Sequence, residues 1–74
     1  MESLQDNTER VVAENIKAIR KEKGISQDAL AELAGLDRVH LYRLENGKQS
    51  MTLGTLKLIA DTLGVRVRDL IGEL

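Results

Sequence analysis

Apolar residues recur at helical spacing along the first part of the chain. Val12, Ile16 and Ile19 lie at i, i+4 and i+7, and charged residues fill the opposite side. This spacing is typical of one face of an amphipathic helix. It predicts a first helix over about residues 8–23. Residues 1–7 are polar and show no strong period, and we expect a frayed start there.

Three N-capping residues divide the middle of the chain into short helices. Ser26, Asp37 and Thr52 each precede a periodic apolar segment, and short oxygen-bearing side chains are preferred at this position. The expected stops are Gly24, Gly35, the pair Asn46-Gly47, and Gly64. The residues expected to face inward in the second and third helices are Leu30, Leu33, Ala34, Leu41 and Leu44. The fourth helix carries Leu53, Leu56, Ile59, Ala60 and Leu63.

The C-terminal stretch has features of both a strand and a helix. Apolar and basic residues alternate over Val65–Arg68 as in a strand, but the segment is too short to pair alone. Leu70, Ile71 and Leu74 suit a short fifth helix. Arg66 stands at its expected start, where it is a poor N-cap.

Composition supports a helical fold and excludes several kinds of site. The chain has 74 residues with no Pro, Trp or Phe and a single Tyr, which favours helices over strands. We predict one all-α domain over residues 8–74, a compact bundle of about five helices. The absence of cysteine excludes disulfides and thiol chemistry. With only one histidine, His40, no metal site and no cofactor are expected.

The same inspection argues against an enzyme and against a membrane protein. No paired carboxylates, Ser/His/Asp set or glycine-rich phosphate loop stands out. No apolar run approaches the roughly 20 residues that a membrane span needs, and the polar N-terminus MESLQDNTER is not a signal peptide. We therefore expect a cytoplasmic protein.

Charge is distributed unevenly along the chain. Lys and Arg number 11 and Asp and Glu number 12, so the net charge is −1. Residues 38–57 nevertheless contain four basic residues and one acidic residue. This local excess predicts a basic face that could bind DNA within a weakly acidic protein.

Residues 26–46 have the pattern of a helix-turn-helix. Ala31 is small where two helices press together, Gly35 suits the left-handed corner, and Leu41 and Leu44 anchor the second helix. In this arrangement the second helix enters the DNA major groove. The alternative is a corner between two helices in a small bundle with no role in DNA binding.

These segments resemble the phage repressor and Cro-like helix-turn-helix family, also called the xenobiotic-response-element type. The resemblance lies in IRKEKGISQDALAELAGL, DRVHLYRLENGK and LGTLKLIADTLGV and covers nearly all of the chain. It implies a compact bundle of about five helices that binds operator DNA as a homodimer. The short length and the LDR start of the third helix are similar to restriction-modification controller proteins. Val39-His40 departs from the Thr-Tyr or Ser-Tyr pair that controllers commonly carry.

The outward face of the third helix is predicted to read bases. With Leu41 and Leu44 inward, Arg38, Val39 and Arg43 point away from the core. Arginine can bond guanine O6 and N7 bidentately, and valine can contact a thymine methyl group. We expect Arg38 to be the main base reader, and for Arg43 a phosphate contact is nearly as good an interpretation.

Further residues are expected at the DNA backbone, mostly because the family uses these positions. They are Gln27, His40, Tyr42, Asn46, Lys48, Gln49, Ser50 and Thr52. His40 could instead touch a base edge, and Tyr42 could instead pack on a neighbour. Arg20 and Glu45 match a family pair that forms a salt bridge between the first and third helices, which would neutralise Glu45 near phosphate.

The C-terminal segment 63–74 is predicted to form a dimer interface. Its apolar residues are Leu63, Val65, Val67, Leu70, Ile71 and Leu74. Part of this set must complete the core, and the remainder exceeds what a small monomer exposes, which favours two-fold pairing, although an intramolecular clamp is the alternative. The sequence thus predicts a homodimeric, sequence-specific transcriptional regulator acting on a pseudo-palindromic operator, with no small-molecule ligand. The alternative function is an antitoxin or antirepressor-type protein-interaction module.

Overall fold

The computed structural model describes residues 3–49 and 51–72, and these residues form only helices and their connections. The helices are α1 (Ser3–Glu22), α2 (Gln27–Ala34), α3 (Arg38–Glu45), α4 (Leu53–Leu63) and α5 (Val67–Ile71). The predicted all-α bundle of about five helices is therefore confirmed.

Side-chain caps start α2, α3 and α4 at the predicted residues. The oxygens of Ser26, Asp37 and Thr52 each accept a hydrogen bond from the backbone N–H three residues on, at 3.0, 3.3 and 3.1 Å. Gly35 and Gly64 end α2 and α4 in the left-handed conformation, with φ of 70° and 74°. These ends were readable in the sequence because caps and glycine stops depend on local backbone chemistry.

Helix α1 begins at Ser3, earlier than predicted. The helix therefore covers residues 3–7, where the sequence predicted a frayed start, and residues 1 and 2 lie outside the described residues. No glycine or proline interrupts this stretch, so nothing in the backbone stops the helix from extending toward the N-terminus. The other end, Glu22, lies one residue from its predicted position.

All five helices contribute an apolar face to one core. Its largest fully buried side chains are Ile16, Leu30, Leu41, Leu44, Ile59 and Leu70. Leu33, predicted to face inward, is instead 66% exposed. The buried residues of α2 are Leu30, Ala31 and Ala34, and Leu33 lies about 100° around the helix from the centre of that face. Leu53, at the start of α4, is also exposed.

The C-terminal segment belongs largely to this core. Leu63 and Leu70 are buried within the chain, at 3% and 0% exposed, so their assignment to a dimer interface is wrong. Helix α5 packs against α1, to which it is joined by a hydrogen bond from Asn15 Nδ2 to the Leu70 carbonyl (2.7 Å), and a contact between such distant parts of the chain has no local signal in the sequence. The remaining predicted interface residues are half-buried Val65, Val67 and Ile71, and Leu74, which lies outside the described residues.

Helix α5 is the short fifth helix that the sequence predicted. Its N-cap residue Arg66 is a poor cap, and the start of the helix is stabilised by a different side chain. The backbone N–H of Arg66 donates to the Asp69 carboxylate at 2.9 Å. A carboxylate three residues into a helix that reaches back to the N-cap amide is one half of a capping box. Asp69 therefore supplies the polar contact that fixes the start of this helix.

Candidate nucleic-acid interface

Helices α2 and α3 meet through the three-residue turn Gly35-Leu36-Asp37. The N–H of Leu36 donates to the Ala31 carbonyl at 2.8 Å, which closes the end of α2 around the left-handed Gly35. Ala31 is 1% exposed, and its small side chain lets the second helix lie close. The turn thus holds α3 in a defined orientation against α2.

One side of α3 is buried and the other is open to solvent. Leu41 and Leu44 are fully buried, whereas Val39 and Tyr42 are 55% and 56% exposed. Arg38 and Arg43 lie on the exposed side as well, and His40 is half-buried. The structure therefore places all three predicted base-reading residues, Arg38, Val39 and Arg43, on the outside of a rigidly anchored helix.

A buried polar network joins α1, α2 and α3 beneath this surface. Arg20 Nε and Nη2 donate to the two carboxylate oxygens of Glu45 at 2.8 and 2.9 Å, and Arg20 Nη1 donates to the Ile25 carbonyl at 2.9 Å. Gln27 Nε2 donates to Glu45 Oε1 at 3.0 Å. The Arg20–Glu45 salt bridge expected from the sequence is present, and it neutralises the one acidic residue of the basic segment.

The same network orients Gln27. Its amide nitrogen carries two hydrogens, and only one of them is needed for Glu45. The second hydrogen remains available at the start of α2, where backbone N–H groups also point outward. The geometry is therefore compatible with the phosphate contact expected for Gln27.

The loop after α3 is built by short-range hydrogen bonds. Asn46 Nδ2 donates to the Tyr42 carbonyl at 2.7 Å, and the N–H of Lys48 donates to the Arg43 carbonyl at 2.9 Å. Gly47 adopts a φ of 67° at this turn. The side chains of Asn46 and Lys48 are exposed, Gln49 is half-buried, and Ser50 lies outside the described residues.

Thr52 is committed to the structure of α4. Its hydroxyl oxygen accepts from the Thr55 N–H at 3.1 Å, and its hydroxyl hydrogen can be donated to Thr55 Oγ1 at 3.0 Å. A phosphate contact at this end of α4 would therefore come more readily from backbone N–H groups than from the Thr52 side chain.

Two basic residues beside the loop had not been predicted as part of the surface. Arg10 and Lys17 of α1 line a polar cleft together with Glu14 and with Asn46 and Gly47 of the loop. The signal in the sequence is their spacing, since positions separated by seven residues share a helix face. Sequence reasoning missed them because nothing local to α1 indicates that this face meets the loop.

Two of the four basic residues in segment 38–57 are paired with carboxylates. Arg38 Nη1 lies 3.1 Å from Asp28 Oδ2, and Lys57 Nζ lies 3.2 Å from Asp61 Oδ2. Both acidic partners lie outside residues 38–57, so the net charge of that segment did not include them. The basic character of the surface therefore rests more on Arg43 and Lys48 than the segment charge alone indicated.

The described residues form neither a metal-binding cluster nor a membrane-spanning helix. Among the side chains of residues 8–49 and 51–72, no three from His, Asp or Glu come together as a group that could hold a metal ion. In the same part of the chain, none of the helices combines the length and apolarity required to cross a bilayer.

The geometry defines the class of domain, and comparison with known proteins gives the family. Two short helices joined by a glycine turn, with the second presenting a polar face, form a helix-turn-helix. A family model described as Helix-turn-helix matches residues 16–70, and the chain belongs to this family. The family resemblance seen in the sequence is confirmed.

The similar proteins include a phage immunity repressor and restriction-modification control proteins. The chain is 42% identical over 62 residues to the immunity repressor protein of Bacillus phage phi105, covering 84% of this chain but only 43% of that protein. It is 34% identical over 61 residues to the control protein C.SmaI of Serratia marcescens, covering 82% of this chain and 73% of that protein. The crystal structure of the controller protein C.AhdI from Aeromonas hydrophila matches with a TM-score of 0.81 at 31% identity, covering 84% of this chain and 94% of that chain.

Proposed function

We propose that this protein is a sequence-specific, DNA-binding transcriptional regulator. The observation that carries the proposal is the division of α3 into a buried face, held by Leu41 and Leu44, and an exposed face that presents Arg38, Val39 and Arg43. A helix presented in this way fits the major groove, where base edges differ in their donors, acceptors and methyl groups. Similarity to a phage repressor and to control proteins supports the same function.

The exposed residues of α3 take different roles in this proposal. Arg38, at the start of the helix, reads guanine, and Val39 contacts a thymine methyl group. Arg43 contacts a base or a phosphate. Tyr42 is 56% exposed, which favours a contact of its hydroxyl with the DNA backbone over the alternative of packing on a neighbour. His40 lies in the first turn of α3 and contacts the DNA backbone there.

Backbone contacts would surround this helix on two sides. Gln27 binds a DNA phosphate at the start of α2. On the other side of α3, the DNA backbone is contacted by the α4 N-terminus at Thr52 and by the loop that carries Asn46, Lys48, Gln49 and Ser50. We add Arg10 and Lys17, because they share a cleft with that loop. Such contacts fix the register of the helix and make binding sensitive to salt.

The proposal includes a homodimer, with α4 and α5 as its surface. Leu58 on α4 is 40% exposed. Val67 and Ile71 lie at i and i+4 on α5 and are half-buried, and the two helices contact each other. Two-fold pairing would place two recognition helices in successive major grooves, about 34 Å apart on a pseudo-palindromic operator.

The dimer is tested with Leu58→Asp, because that side chain is not needed for the core. We expect monomers in analytical ultracentrifugation and loss of cooperative half-site binding. Leu33→Asp is the matched control, since Leu33 is more exposed and lies on α2. Leu70→Asp is unsuitable, because it would place a charge in the core and unfold the chain. A wild-type protein that stays monomeric both free and on DNA would contradict the dimer.

The function is tested by selection of bound duplexes from a random double-stranded DNA library, followed by gel shifts at several salt concentrations. We expect one enriched motif that occurs twice in inverted orientation. The preference of the protein for this motif should weaken in Arg38→Ala. A protein-interaction module of the antitoxin or antirepressor kind would enrich no motif. Selection without enrichment would therefore reject the proposed function.

A further inference from the structure

A carboxylate on α2 contacts the predicted main base reader on α3. Asp28 Oδ2 accepts a hydrogen bond from Arg38 Nη1 at 3.1 Å, across ten residues of sequence. Both side chains remain largely exposed, at 72% for Arg38 and 67% for Asp28. Asp28 lies in the first turn of α2, where the positive end of the helix dipole stabilises a negative charge.

The contact leaves the donors needed for guanine free. A guanidinium group has five N–H donors in a planar fork, and Asp28 contacts only Nη1 of Arg38. The edge formed by Nε and Nη2 remains open. Arg20 uses this same edge to hold both oxygens of Glu45, which shows within this molecule that it suits a bidentate acceptor. Guanine O6 and N7 form such an acceptor pair in the major groove.

The helix dipole favours a carboxylate in the first turn of α2, but it does not account for the hydrogen bond of that carboxylate to Arg38. Exposed ion pairs contribute little to stability, and a carboxylate beside a DNA-binding surface repels phosphate. The hydrogen bond to Asp28 does restrain the Arg38 side chain, because a long arginine side chain without a partner has many rotamers. Asp28 limits Arg38 to the orientation in which its free edge points away from α2.

We propose that Asp28 is a positioning residue that orients Arg38 for guanine and thereby sets sequence specificity. The inference rests on the proposed function. It predicts that loss of the Asp28 charge weakens discrimination at one base pair per half-site while raising affinity for unrelated DNA. If Asp28 acted only through its charge, its loss would raise affinity for every sequence equally.

The experiment compares Asp28→Asn with Asp61→Asn. Asp61 is the matched control because it forms a pair of similar distance and exposure with Lys57 on α4, at 3.2 Å with side chains 64% and 69% exposed. Both substitutions remove one negative charge. Each variant, the wild type, Arg38→Ala and the double variant Asp28→Asn/Arg38→Ala are used in selections from a random double-stranded DNA library. Gel shifts then use the selected duplex and duplexes with the preferred guanine replaced.

We expect Asp28→Asn to reduce guanine discrimination about 3- to 10-fold, part of what a bidentate arginine contact supplies, and to increase affinity for the replaced duplexes. Asp61→Asn should leave the discrimination ratio unchanged. In the Arg38→Ala background, Asp28→Asn should no longer alter the ratio. Thermal melting of all variants checks that the fold is retained, as expected for exposed side chains.

Two different failures can be told apart. Enrichment of no motif by the wild type would overturn the proposed function and this inference together. A wild-type motif whose guanine preference survives or sharpens in Asp28→Asn would overturn the inference alone. So would an effect of Asp28→Asn that persists without Arg38.

Discussion

Two arginine–carboxylate pairs in this domain use the same chemistry in opposite surroundings. Arg20 and Glu45 are joined by two hydrogen bonds of 2.8 and 2.9 Å, with side chains only 9% and 1% exposed. Arg38 and Asp28 are joined through one nitrogen at 3.1 Å, with both side chains mostly in solvent. The first pair lies beneath the α2–α3 surface and the second lies on it.

The difference in burial decides what each pair can do. Removing one member of a buried pair strands a charge away from water, so the fold depends on both members being present. An exposed pair is screened by water and contributes little to the fold, so either member can exchange its partner at small cost. The buried pair therefore suits a structural role, and the exposed pair suits a role in binding.

The largest expected effect is that of Arg20→Ala on stability. The substitution leaves Glu45 buried with only Gln27 as a donor, and it removes the hydrogen bond to the Ile25 carbonyl. We expect a loss of about 3–5 kcal/mol in the free energy of unfolding, measured by urea denaturation. Unchanged stability would show that the buried pair is not structural and would remove the contrast between the two pairs.

Arg38→Ala should affect binding and leave folding intact. We expect the free energy of unfolding to stay within about 0.5 kcal/mol of the wild type, because the side chain is exposed. Specific binding should weaken by about 1–3 kcal/mol, with relaxed preference at one guanine per half-site. If binding to every sequence weakens equally, Arg38 contacts phosphate and does not read a base.

Gln27→Ala is expected to have a smaller effect in both measurements. The variant removes one of the donors to Glu45, which should lower the free energy of unfolding by about 1 kcal/mol. It should also weaken DNA binding evenly across sequences and reduce the salt dependence by about one phosphate contact. A change confined to one base position would instead make Gln27 part of the base-reading set.

The smallest expected effect is that of Asp61→Asn. Its pair with Lys57 is a solvent-exposed contact between positions i and i+4 of α4, and such pairs contribute about 0.3–0.5 kcal/mol. Stability should change by no more than that, and base preference should not change. Urea denaturation measures the stability, and the DNA selection measures the base preference. A marked loss of either would show that the exposure of an ion pair does not predict its role in this domain.

Much of the fold was readable in the sequence because its signals are local. Ser26, Asp37 and Thr52 cap helices through hydrogen bonds that span three residues. Gly35 ends α2 because the left-handed conformation costs glycine little. The outward placement of Arg38 follows from the helical period once Leu41 and Leu44 are assigned to the core.

The errors arose where a residue's surroundings come from distant parts of the chain. Leu33 and Leu70 are both leucines at helical positions, yet one is 66% exposed and the other is fully buried. The first lies at the edge of a narrow α2 face, and the second is covered by α1, more than fifty residues away in sequence. Hydrophobicity alone cannot tell these cases apart.

By itself, the sequence determined which segments are helical, the caps of α2, α3 and α4, and the face that α3 would present, since all of these depend on the backbone and side-chain chemistry of near neighbours. Only the tertiary structure decided which apolar residues of segment 63–74 belong to the core, which basic residues of α1 meet the loop after α3, and which carboxylate contacts Arg38. Those outcomes require helices from different parts of the chain to pack at particular distances. Asp28 and Arg38 are ten residues apart in sequence, and only the angle between α2 and α3 brings their side chains to 3.1 Å.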